Sequence, residues 1–204
     1  MTKKIFKTLS YILHPVFMPF IGVLIIFSIS HLALMPFESK KAILSLIAII
    51  TVFFPLAIIP ILYFRKTISG ITMPSKQERL LPMFLTSVFY YFGYYILNKY
   101  SAHIFLQQYM LAVFISVILA SLINIRWKIS LHMIGIGGLL GLLSALAYLY
   151  GLHINWILMT TILLAGIIGT ARLYLNEHNP SQVYSGFMMG YVLNFGIIVL
   201  LNNF

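Results

Sequence analysis

Long apolar runs alternate along this chain with short polar stretches. Seven runs, at about 14–34, 42–64, 82–98, 104–123, 132–150, 155–171 and 183–203, contain no Asp, Glu, Lys or Arg. A bilayer core about 30 Å thick is spanned by roughly 20 apolar residues of helix at 1.5 Å each. Backbone polar groups in lipid must be bonded within the segment, so runs of this length predict helices rather than strands. The expected fold class is therefore all-α, a polytopic bundle of six to seven transmembrane helices forming a single domain over 1–204. His14-Pro15 and Pro19 interrupt the start of the first run, so its first turns are expected in the interface. The run is too long for a cleavable signal peptide, and no small-residue cleavage site follows it.

Composition sharpens this picture. Of the 204 residues, 61% are hydrophobic and only 8% charged, and the mean hydropathy is +1.01. A soluble domain carries about 25% charged residues, so a soluble monomer and a disordered chain are both excluded. Cysteine is absent, which excludes a disulfide-stapled module. The net charge of +10 comes from residues lying between apolar runs. That placement points to membrane topology and anionic head groups, not to nucleic acid.

With all seven runs spanning, the connections fall on two faces. One face holds Lys3, Lys4, Lys7, Arg65, Lys66, Lys76, Arg79, Arg126, Lys128 and Arg172; the other holds Lys40, Lys41 and Lys99. The positive-inside rule makes the first face cytoplasmic. Gly137 and Gly141 form a small-xxx-small pair suited to close helix packing. Tyr90, Tyr91, Tyr94 and Tyr95 are expected as interfacial anchors and packing residues. His14, His31, His103 and His153 are expected as interfacial side chains near span ends.

Three polar clusters share the basic face. In Pro74-Ser75-Lys76-Gln77-Glu78-Arg79, Ser75 and Glu78 have capping-box spacing, and Lys76 and Arg79 at i, i+3 share one side of the helix that follows. That side can grip a phosphate with one point charge and one fork of donors. In Lys128-Ile129-Ser130-Leu131-His132, Ser130 is placed to cap the next helix, and His132 lies in its first turn. In Arg172-Leu173-Tyr174-Leu175-Asn176-Glu177-His178-Asn179-Pro180-Ser181-Gln182, Pro180 disfavours helix at Asn179, leaving His178 at a break that Ser181 can close by capping. Two histidines, three cations and two helix N-termini on one face suit phosphoryl transfer. A neutral imidazole attacks phosphorus, and the cations neutralise charge on the equatorial oxygens. The histidines lack metal-ligand spacing, so no metal and no other cofactor is expected.

The stretch Ala171-Arg172 to His178 to Gln182 and Gly186 resembles the third signature of the type 2 phosphatidic acid phosphatase superfamily, S-R-x5-H-x3-D. Ser130-Leu131-His132 is similar to its second signature, P-S-G-H, and Lys76, Arg79 and Pro82 to a shortened form of its first, K-x6-R-P. The resemblance covers about residues 70–200. It implies a helical membrane bundle of a bacterial inner membrane whose site hydrolyses a lipid phosphate without metal. By this resemblance His178 is the nucleophile that becomes phosphohistidine, His132 protonates the leaving alkoxide, and Lys76, Arg79, Ser130 and Arg172 hold the phosphate. Gln182 stands where the family has the aspartate that orients the nucleophile, Ala171 where it has serine, Leu131 where it has glycine and Ile129 where it has proline. An amide can fix the tautomer of His178 but supplies only a dipole to a charged imidazolium. Two functions follow as expectations: a lipid-phosphate phosphatase, or a catalytically impaired relative that binds anionic lipid or a membrane partner. In the first, either the rate is low or Glu78 or Glu177 stands in for the missing carboxylate.

Overall fold

The computed structural model describes residues 2–70 and 75–202, and among them there is no strand. The side chains of Thr2 and Lys76 lie outside this description. Among the described residues nine α-helices follow one another: α1 (Thr2–Ile12), α2 (Met18–Ile29), α3 (Phe37–Ala48), α4 (Phe54–Phe64), α5 (Lys76–Lys99), α6 (Ile104–Arg126), α7 (Leu131–Tyr150), α8 (Asn155–Tyr174) and α9 (Pro180–Asn202). They make seven stretches long and apolar enough to cross a membrane, with Lys3–Ile29 and Phe37–Phe64 each built from two helices. The protein is an integral, multi-pass membrane bundle. Large apolar side chains such as Trp156, Leu163 and Tyr184 remain exposed on its outer surface, where lipid covers them.

The first run is interrupted at His14-Pro15 as expected, but a helix precedes the break. Residues 2–12 form a helix of their own, carrying Lys3, Lys4 and Lys7. The chain then breaks at His14, because Pro15 and Pro19 lack the N–H groups a continuous helix needs. A short 3-10 turn over Pro15–Phe17 leads into α2, which at 12 residues is about 18 Å long. The second run is continuous from Phe37 to Phe64 but widens into a π turn at Ile49–Phe53. Pro55 cannot donate to the Thr51 carbonyl one turn back, and the Tyr90 hydroxyl donates to it at 3.4 Å instead. Tyr90 is therefore a buried helix-to-helix bond and not an interfacial anchor, whereas Tyr91 and Tyr95 are exposed.

α7 is the centre of the bundle, apolar on all sides and buried along most of its length. Its closest partner is α9, which enters from the same face and therefore runs parallel to it. The seam between them is glycine. A Cβ at Gly137 would strike the Phe187 carbonyl, and one at Gly190 would strike the Ile134 carbonyl. A Cβ at Gly141 would stand 3.0 Å from the Phe195 nitrogen, and one at Gly186 would stand 2.8 Å from the Ser130 carbonyl. The expected small-xxx-small pair is thus half of a two-sided contact in which backbone meets backbone. Asn194 adds a polar tie, donating to the Ser116 hydroxyl of α6 at 3.2 Å.

At the opposite end, His31 and His103 meet with their Nε2 atoms 3.0 Å apart, and the Tyr150 ring lies against His31. These two histidines are paired with each other, a contact across 72 residues that spacing alone does not reveal.

The seam makes a direct prediction. Gly190→Leu drives a side chain into the α7 backbone, so the variant should lose several degrees of melting temperature in detergent, or fail to elute as a monodisperse species. Overpacking of this kind costs about 1–3 kcal/mol or more. Gly196→Ala, where a Cβ meets nothing within 4 Å, should melt like the parent.

Candidate functional site

The turn between α8 and α9 positions two of the expected residues. α8 ends with Asn176 in the left-handed conformation, φ 54°, a conformation asparagine adopts more readily than most residues. The Asn176 N–H returns to Leu173 and the Glu177 N–H to Arg172, closing the helix end and folding the chain back over Arg172. Glu177 thereby comes within 3.5 Å of the Arg172 guanidinium. α9 starts at Pro180, a favoured first helical position.

The cap of α9 is Asn179, not the expected Ser181. Asn179 Oδ1 accepts from the Gln182 N–H at 2.9 Å, and Gln182 Oε1 accepts from the Asn179 N–H at 3.2 Å, a reciprocal capping box. This pairing determines the orientation of the Gln182 amide, since only its oxygen can face a backbone N–H. The same oxygen lies 3.0 Å from His178 Nδ1. That nitrogen must therefore donate, which leaves the lone pair of the ring on Nε2. Gln182 thus occupies the orienting position expected for it. Neither carboxylate substitutes. Glu78 accepts from the N–H and hydroxyl of Ser69, both at 2.8 Å, and from the Ser75 hydroxyl, while Glu177 pairs with Arg172.

His178 is buried, and its pKa is pushed down to about 4. Burial is the main cause; the positive charges of Arg172, Lys128 and Arg79 add to it and the Gln182 hydrogen bond opposes it. At neutral pH the ring is uncharged, as a nucleophile requires.

His132 sits in the first turn of α7, where its Nε2 lies 3.0 Å from the carbonyl of Ser10 in α1. A carbonyl only accepts, so the proton is on Nε2 and Nδ1 carries the lone pair. Arg172 is nearly buried. Its Nη1 reaches the Ser10 hydroxyl only at 3.4 Å, its Nη2 has the 3.5 Å contact with Glu177, and its Nε has no partner among the described residues. A guanidinium has five donors, and this buried one has two long contacts, one of them to the Glu177 carboxylate.

His132, His178, Arg79 and Arg172, from three helices and one turn, line a single cavity of about 520 Å³. From this charged mouth the cavity continues inward past Pro82, Tyr90, Tyr109, Val113 and Leu139 to Asn194. Its volume falls in the range of small-molecule sites. Glu177 also lines it and interacts electrostatically with Arg79.

One expected phosphate ligand is placed otherwise. Ser130 precedes α7, yet its hydroxyl makes no capping bond; it is wholly buried, without a hydrogen-bond partner among the described residues, and does not line the cavity. The reason is the seam, which packs Gly186 onto the Ser130 backbone. The Lys76 side chain lies outside the described residues. Ser75 does cap α5 as expected, accepting from the Glu78 N–H at 3.2 Å, so the helix extends well before residue 82.

Three further residues join the site. Lys128 lies near enough that its pKa is lowered, chiefly by burial and then by Arg79 and Arg172, with Glu177 opposing. Ser10 and His14 come from α1 and the break after it, and the His14 ring lies edge-on to His132 at 5.4 Å between centroids. His14 is therefore a cavity residue and not an isolated interfacial histidine. The signal available in sequence was the proline pair that breaks the helix beside it.

Compared with known proteins, the chain matches no family model, no curated protein and no solved structure at a significant level.

The lowered pKa of His178 makes a pH prediction. An unfolded histidine binds its proton near pH 6.5, and the folded one only near 4. The stability is full above pH 6.5 and declines as pH falls toward 4, by on the order of 3 kcal/mol. Thermal melts in detergent from pH 7 to 4 should show this decline, and His178→Gln should flatten it. Equal slopes in both proteins would contradict the assignment.

Proposed function

We propose that the protein is a metal-independent phosphatase of lipid phosphates that works through a phosphohistidine. The observation that carries this reading is the convergence of His132, His178, Arg79 and Arg172 on one cavity whose deeper part is largely apolar. It also draws on the resemblance of the three clusters to the type 2 phosphatidic acid phosphatase signatures. The phosphate sits at the charged mouth and the lipid chain follows the apolar wall.

In the first step the Nε2 lone pair of His178 attacks phosphorus. The bond from phosphorus to the lipid oxygen breaks, and His132, which takes a proton onto Nδ1 from the entering phosphate monoanion, gives that proton to the leaving alkoxide. Arg79, Arg172 and Lys128 offset the charge that builds on the equatorial oxygens. In the second step His132 Nδ1 takes a proton from water, and the resulting hydroxide attacks the phosphohistidine. Inorganic phosphate leaves, and His178 regains its lone pair. Gln182 holds the Nδ1–H of His178 throughout, so Nε2 remains the reactive atom. Glu177 must release Arg172 when phosphate enters, an exchange of one anion for another on the same guanidinium.

The amide at Gln182 favours a second reading, in which the site binds lipid phosphate and turns it over slowly or not at all. An amide dipole stabilises an imidazolium less than a carboxylate does, and loss of the orienting carboxylate in a catalytic triad lowers rate by about 10⁴.

Phosphate release from a panel of lipid phosphates in vesicles, with chelator present, tests the main reading. The protein should release phosphate, His178→Ala should lose turnover entirely, and an acid-labile phosphoenzyme should form in the parent and not in the variant. Full activity in His178→Ala would overturn the nucleophile. Gln182→Asp should raise the rate tenfold or more if the parent is a slowed phosphatase, about 1.4 kcal/mol of barrier. Lipid-phosphate binding without hydrolysis in either form selects the second reading.

The ten-to-three distribution of cations supports a site on the cytoplasmic side of the membrane, which by the resemblance is a bacterial plasma membrane. Cysteines introduced at Ser75 and Asn179 should resist an impermeant thiol reagent in intact cells. Labelling of both from outside reverses the orientation.

A further inference from the structure

The break between α1 and α2 does more than redirect the chain. His14 opens the 3-10 turn, and its Nδ1 accepts the backbone N–H of Val16 at 3.3 Å. That bond uses the Nδ1 lone pair, so the ring carries its hydrogen on Nε2. Among the described residues this Nε2–H has no hydrogen-bond partner in the protein, although the ring lines the cavity and lies against His132.

Packing holds the ring there. Gly135 follows His132 by three residues on α7 and so shares its side of the helix. A Cβ at Gly135 would stand 3.1 Å from Met18 Cγ and 3.2 Å from Pro15 Cβ. The missing side chain lets the Pro15 ring seat on α7 directly beside His132. On the other flank, the Ser10 carbonyl holds His132 Nε2. The segment from Ser10 to Pro15 is thus docked on α7 at both sides of the histidine pair.

These placements leave one imidazole N–H unused. His178 spends its N–H on Gln182 and His132 spends its N–H on Ser10. Only His14, of the three histidines lining the cavity, keeps an uncommitted N–H. Arg172, which lines the same cavity, is paired with Glu177 at 3.5 Å and has no partner for its Nε–H among the described residues. We propose that His14 is a third histidine of the site and donates its Nε2–H to a phosphoryl oxygen of the bound lipid phosphate. This rests on the phosphatase reading above and adds to it a positioning residue supplied by the N-terminal segment. The donor is an uncharged imidazole, which orients and stabilises the phosphoryl group without contributing a proton to the chemistry.

The test separates the donor from the cap. His14→Asn keeps an oxygen that can accept from the Val16 N–H, but its short amide does not reach the cavity. His14→Gln can cap and also extends an N–H donor further. Inorganic phosphate and vanadate serve as probes, read as affinity by protection of the protein against heat and as inhibition of lipid-phosphate hydrolysis. In His14→Asn the melting temperature without ligand should stay within a few degrees of the parent. Its affinity for both probes should fall roughly tenfold, the scale of one hydrogen bond to a charged group. His14→Gln should recover part of that loss. Unchanged affinity in His14→Asn at unchanged melting temperature overturns the role of His14 and leaves the phosphatase reading standing. A fall in melting temperature with no fall in affinity in either variant assigns His14 to the cap alone and likewise overturns it. A parent protein that binds neither probe and hydrolyses nothing removes the phosphatase reading, and this inference with it.

Discussion

Two parallel helices in backbone contact set the geometry of the rest of this protein. α7 and α9 approach so closely that carbonyl groups occupy the space where side chains would stand, at Gly137, Gly141, Gly186 and Gly190. In a bilayer there is no hydrophobic force between helices, so small residues and close van der Waals contact do the work of association. Because the helices are parallel, their N-termini lie side by side on one face. The residues just before and after those termini, His132 and His178, therefore share a cavity although 46 residues of chain separate them. The same seam seals the Ser130 hydroxyl away from that cavity. One contact thus assembles the site and removes a residue from it.

The electrostatics of the site follow from where burial falls. Arg172 and His178 are both largely removed from solvent, and burial penalises charge. A guanidinium cannot lose its proton at physiological pH and so remains a cation, paired here with Glu177. An imidazole can lose its proton, and His178 does, with Arg172, Lys128 and Arg79 reinforcing the effect. The result is a neutral imidazole among permanent positive charges.

The Gln182 position shows how one residue serves two layers of structure. Its amide closes the capping box of α9 and, through the same oxygen, determines the tautomer of His178. An aspartate there could accept the same two bonds and would add a negative charge near the positive end of the helix dipole, where charge of that sign is favourable. The amide keeps the geometry and omits the charge. Local helix-capping chemistry and the orientation of a site histidine are therefore inseparable in this turn.

The sequence by itself determined the fold class, because the cost of leaving backbone groups unpaired in lipid allows only helices over apolar runs of this length. It determined the common face of the three polar clusters as well, since an even number of crossings returns the chain to one side. The cap at Ser75 and the break at His178 were also legible, being local events set by proline, serine and a carboxylate three residues on. Tertiary structure alone decided which side chains share the cavity. Ser10 and His14 are invisible as site residues because their partners lie more than a hundred positions away, at His132 and Arg172. The exclusion of Ser130, the pairing of His31 with His103 and the inward placement of Tyr90 have the same origin. Each depends on which helix faces meet, and in a chain apolar on nearly every face the hydrophobic pattern carries almost no information about facing. The decision passes to glycine, proline and the few buried polar groups, whose effect is exerted across the bundle and not along the chain.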